Sequence, residues 1–105
     1  MGDRGDLRKM KLLLIIYSED IDRQVLIALR QAGAKNFTQW EKVLGVGSSG
    51  VRLGTEVGPG TNKMVLTLIK DEDTESLLER LRNLKQSFLR RQGLKVIVLP
   101  VSGVV

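Results

Sequence analysis

Residues 11–17 form a continuous, mostly aliphatic run of strand length. Both alternating sets of positions are apolar, which predicts a central strand buried on both faces. Ser18, Glu19 and Asp20 come next, offering N-cap oxygens and negative charge for a first helical turn. Ile21, Val25, Ala28, Leu29 and Ala32 then recur at helical spacing, and Gly33 stands where a left-handed residue would end that helix. Residues 37–44 carry Phe37, Thr38, Trp40 and Val43, which favour a second strand. Residues 63–70 predict a third, with Met64, Leu66 and Leu68 on one face and Val65, Thr67 and Ile69 on the other. Asp71 and Asp73 signal a second helix, whose stripe is Leu77, Leu81, Leu84 and Phe88, widened by Leu78 and Leu89. Gly93 reads as its C-terminal stop, and residues 95–101 as a last strand that Pro100 marks as an edge or an end.

The order strand, helix, strand, strand, helix, strand predicts an α+β domain of the ferredoxin-like β-α-β-β-α-β kind. Its four-stranded antiparallel sheet would carry both helices on one face. The other face then needs a cover. Val65 and Ile69, or their neighbours on the opposite face, are the residues that call for one, and self-assembly is the simplest supply. At 105 residues the chain fits one domain. Residues 1–9 are polar and read as a flexible leader or tag remnant, leaving 10–105 as the folded domain.

Composition narrows the chemistry. Cysteine and histidine are both absent, which removes thiolate sites, disulfides and the commonest general base and metal ligand. The longest apolar run, 12–16, is too short for a bilayer span of about 20 residues, so a cytoplasmic protein is expected. A net charge of +5 permits an anionic partner without demanding one. Arg80, Arg82, Lys85, Arg90 and Arg91 read as a solvated helix face, and only Phe37 and Trp40 could stack on bases, so nucleic acid is not the expected partner. The run Asp71-Glu72-Asp73 reads as a helix start, not a metal site. An acylphosphatase-like enzyme would need a phosphate-cradling loop after the first strand. The acidic Ser18-Glu19-Asp20 turn stands there instead, and a non-enzymatic role is expected.

Residues 45–62 hold six of the eleven glycines, an unusually long connection for a hairpin and so a binding-loop candidate. Gly45-Val46-Gly47-Ser48-Ser49-Gly50 matches G-x-G-x-x-G, but no helix starts after it, so a dinucleotide site is not expected. The stretch offers glycine-freed amides, the Ser48 and Ser49 hydroxyls, and Arg52, a set suited to an anion. The expected effector site is therefore Gly45, Gly47, Ser48, Ser49 and Arg52, with no metal.

Trp40-Glu41-Lys42-Val43-Leu44-Gly45-Val46-Gly47 resembles the strand of the PII signalling proteins that leads into their long T-loop and ends in a G-x-G pair. Leu53-Gly54-Thr55 through Gly58-Pro59-Gly60 resembles the T-loop of a PII-like subgroup, and the likeness spans nearly all of 10–101. It implies a homotrimer with ligand clefts between subunits, an adenine nucleotide as candidate effector, and a protein target such as a membrane transporter. The chain departs from PII proteins after the G-x-G pair. Ser48, Ser49 and Gly50 replace a basic residue, a glutamine and a lysine; the loop has no tyrosine; and Arg90-Arg91-Gln92-Gly93 replaces a glycine-rich phosphate loop. The alternative reading is a CutA-like structural trimer without nucleotide binding.

Overall fold

The computed structural model describes residues 9–47, 50–52, 61–88 and 93–105. β1 (Met10–Ser18) is the strand on which the rest assembles, with β5 (Asn62–Lys70) and β6 (Leu94–Pro100) as its antiparallel neighbours. β2 (Thr38–Val43) pairs antiparallel with the far side of β5, giving the order β2-β5-β1-β6. α1 (Asp22–Gln31) and α2 (Asp71–Ser87) connect β1 to β2 and β5 to β6. This is the expected ferredoxin-like α+β sheet.

The register fixes which residues share a face, because directly opposed residues in an antiparallel pair point the same way. Leu13 opposes Thr67 and Val98, Ile15 opposes Val65 and Val96, and Tyr17 opposes Lys63 and Leu94. That face lies under the helices, where Ile21, Val25, Ala28 and Leu29 meet Leu77 and Leu81 in the core. Fully burying a Val, Ile or Leu side chain there is worth about 1.5–3 kcal/mol.

The opposite face is bare. Leu14 stands between Leu66 and Ile97, Leu12 between Leu68 and Leu99, and Trp40 opposes Met64. Trp40 is 43% exposed, Leu99 41% and Leu68 38%. Of the two sets of residues expected to call for a cover, the helices settle one. Within the chain they close one face of β1, and Val65 and Ile69 lie beneath them. The residues that call for a partner are those of the opposite set.

α1 starts and stops much as its sequence reads. Ser18 Oγ accepts from the Asp20 amide at 3.3 Å and caps a short 3-10 turn, Glu19–Ile21, before the α-helix begins. Gly33 takes φ of +90°, with its amide on Arg30 O and the Ala34 amide on Leu29 O. These are the paired bonds of a Schellman stop, which glycine allows without strain. Gly93 plays no such part. α2 ends at Ser87, whose hydroxyl donates to Leu84 O, and Phe88 leaves in an extended conformation to pack on the core. Lys70, the N-cap of α2, makes no side-chain cap bond, and Asp71 of the first turn pairs with Lys11 of β1.

Candidate functional site

The 45–62 connection is not featureless. β3 (Gly45–Gly47) and β4 (Gly50–Arg52) pair as a two-stranded antiparallel ribbon, with Gly45 opposite Arg52, Val46 opposite Val51 and Gly47 opposite Gly50. Strand alternation places positions 45, 47, 50 and 52 on one face of the ribbon and 46 and 51 on the other. One face is thus nearly all glycine backbone, with a single arginine position at its foot. Ser48 and Ser49 lie outside the described residues, as do Leu53-Gly54-Thr55, Gly58-Pro59-Gly60, Arg90 and Arg91.

Two features hold the approach to the ribbon. The β2–β5 register shifts between Trp40 and Val43, so β2 carries one extra residue there, and Lys42 takes φ of 56°. Such a bulge bends a strand and increases its twist, re-aiming the residues beyond it. On the return side, the Glu19 amide donates to Thr61 O at 3.1 Å, and Thr61 Oγ1 donates to Glu19 Oε2 at 2.7 Å. The Ser18 amide donates to Gly93 O at 2.9 Å. The β1–α1 turn therefore ties together the end of the 45–62 connection and the start of β6. Next to this junction, Asn62 Oδ1 is buried without a hydrogen-bond partner among the described residues.

The same end of the sheet holds a polar network. Tyr17 Oη donates to Asp22 Oδ1 at 2.6 Å, and Gln39 Nε2 lies 2.8 Å from both Tyr17 Oη and Asp22 Oδ1. Lys63 Nζ stands 3.2 Å from Asp22 Oδ2 and 3.5 Å from Glu41 Oε1. Burial pushes the Asp22 carboxyl up. The bonds from Tyr17, Lys63 and Gln39 and the Lys63 charge outweigh it, and the net shift is downward. Burial, then the bond to Asp22, raises the Tyr17 hydroxyl well beyond the ordinary tyrosine range. Lys63 is pushed down by burial, but Asp22 and Glu41 leave it raised. The network fastens β1, α1, β2 and β5 to one another at this end of the sheet.

The structure thus brings Gly45 and Arg52 together across the ribbon and sets Gly47 two positions further out. Sequence reasoning missed Tyr17, Asp22, Gln39 and Lys63 altogether. Tyr17 and Gln39 lie 22 residues apart. The alternation of positions 13, 15 and 17, ending on a polar tip beside the helix start, is a signal for Tyr17 and Asp22 alone; Gln39 and Lys63 join them through strand register.

A family model described as Nitrogen regulatory protein P-II matches residues 10–105. Among solved structures, CPII from Thiomonas intermedia K12, a nitrogen regulatory PII-like protein bound to ADP, AMP and bicarbonate, is similar at a TM-score of 0.66 and 21% identity, over 91% of this chain and 96% of that one. PII from Arabidopsis thaliana bound to citrate gives 0.66 and 20% identity, over 97% of this chain and 86% of the other. A DUF3240 family protein from Shewanella baltica OS155 gives 0.68 and 15%, over 92% and 97%. At these identities the likeness to solved structures shows the fold alone. No curated protein sequence matches.

Proposed function

Since the chain belongs to the nitrogen regulatory protein P-II family, we propose that it is a non-enzymatic regulator whose ribbon responds to a small anionic effector, an adenine nucleotide. The effector lies against Gly45, Gly47, Ser48, Ser49 and Arg52, at clefts between the subunits of a homotrimer, and the 45–62 connection carries the signal to a protein partner.

The observation that carries this reading is the ribbon face of positions 45, 47, 50 and 52. Glycine backbone lets a phosphate approach main-chain amides closely, and an arginine at the foot supplies a bidentate, permanently charged donor. The orphaned Asn62 Oδ1 adds support, since a ribose hydroxyl or an adenine amino group is the kind of donor that satisfies it. CPII holds ADP and AMP, which favours the same ligand class here. The bare sheet face of Leu12, Leu14, Met64, Leu66, Leu68, Ile97 and Leu99 supports assembly.

A thermal-shift screen with ATP, ADP, AMP and cyclic AMP tests the reading, because a ligand bound by the folded state alone raises the midpoint by mass action. A rise with at least one nucleotide is expected. A flat response to all four would favour a structural trimer without nucleotide binding.

A further inference from the structure

A second cleft runs along α1. The Schellman stop at Gly33 sends the chain back beside the helix, and the buried Thr67 hydroxyl donates to Asn36 O at 2.8 Å, pinning the returning segment to β5. Between that segment and α1 opens a cleft of about 620 Å³, whose cations are Arg23, Arg30 and Lys35. Its apolar part comes from Leu26, Ile27 and Phe37, with Phe37 42% exposed. Arg23 and Arg30 are seven residues apart, nearly two full turns, so they stand on one side of the helix about 10 Å apart along its axis.

The charge of this cleft is not cancelled. None of Arg23, Arg30 and Lys35 has an ion-pair partner among the described residues, whereas Lys11, Lys63 and Arg82 all do. Asp22, the one carboxylate on the rim, has its oxygens engaged by Tyr17, Gln39 and Lys63. Three uncompensated cations therefore share a concave surface with an exposed aromatic ring and an aliphatic floor. Concave, mainly apolar sites with a few convergent polar groups are where small ligands bind.

We propose that this cleft binds a small aromatic anion, its ring against Phe37, Leu26 and Ile27 and its phosphate or carboxylate between Arg30, Arg23 and Lys35. The site is separate from the ribbon and does not depend on the effector reading. It is tested by titrating phenyl phosphate into the full chain and following backbone amides by heteronuclear NMR, with inorganic phosphate and phenol as single-feature probes. Saturable shifts confined to residues 22–37 are expected, with both single-feature probes binding more weakly. Arg30→Gln should weaken phenyl phosphate about 10- to 100-fold, the loss of one charge-assisted bond. Phe37→Ser should reduce the preference for phenyl phosphate over inorganic phosphate. Lys35→Gln, on the returning segment, repeats the test if Arg30→Gln does not fold. Shifts that map to residues 45–52 instead would overturn the proposal, as would variants that bind like the parent. Failure here leaves the ribbon reading standing, and failure at the ribbon leaves this one.

Discussion

Tyr17 spends its hydroxyl on a carboxylate five residues along the chain and accepts an amide from a different strand. Removing it should tell how much that end of the sheet depends on the network. Tyr17→Phe leaves Asp22 with Gln39 and Lys63 but takes one bond from each of Asp22 and Gln39, a loss of about 1–2 kcal/mol. At fixed protein concentration the melting midpoint should fall by several degrees, with the assembly state unchanged. The pH profile carries the same signature. The Asp22 carboxyl lies below its unfolded value of about 3.9, so its contribution is full above that pH and is lost as pH falls through the folded value. Tyr17 and Lys63 are raised, so their contributions hold below about pH 10 and fade as pH rises through the folded values. With no histidine in the chain, the urea midpoint should be nearly level from about pH 5 to 9 and fall on both sides. Asp22→Asn should flatten the acid limb; an unchanged limb would remove Asp22 from the account. Gly33 gives a cleaner case. A methyl group there would meet Asp73 only at 3.6 Å, ordinary contact, so Gly33→Ala should cost only the backbone term, about 1 kcal/mol.

The elements differ in how plainly the sequence wrote them. α1 was legible from cap to stop because Ser18 and Gly33 flank a stripe of one period, and tertiary packing agrees with it. Gly93 misled because a glycine after a helical stripe resembles a stop, whereas Phe88 had already left the helix to reach the core. The ribbon was illegible for another reason. Two three-residue strands with three glycines among six positions present no alternation of side chains to read. The polar network was hidden because its members meet only through the β2–β5–β1 register. Which face of β1 would be covered was equally hidden, since both its faces are apolar and only the side on which the helices pack decides. An isolated two-stranded ribbon is marginal in water. In the unliganded protein, amides of Gly45–Gly47 and Gly50–Arg52 should therefore exchange far faster than those of β1. Equal protection in both would mean that the ribbon is locked and unsuited to signalling.

At the scale of the whole molecule, the sheet shows helices on one side and aliphatic side chains on the other. Leu14 sits near the middle of that bare face, between Leu66 and Ile97. Leu14→Glu would place a charge in any interface built there, and sedimentation equilibrium should find three times 11.7 kDa for the parent and a smaller species for the variant. A parent that sediments as a monomer at micromolar concentration would leave the face without a cover and the intersubunit clefts without walls. No helix among the described residues is long and apolar enough to cross a membrane. The family match spans 10–105, and the ribbon rises from a sheet end that hydrogen bonds to Thr61 and Gly93 hold together. The effector proposed above is gripped where Gly45 faces Arg52. Calorimetric titration of ADP into the assembled parent and into Arg52→Ala and Gly47→Val tests that claim most directly. Saturable binding is expected in the parent. Arg52→Ala should weaken it about 10- to 100-fold, the value of one charge-assisted bond. Gly47→Val should weaken it by blocking close approach of the phosphate to the backbone. ADP that binds all three proteins equally, or none of them, would contradict it.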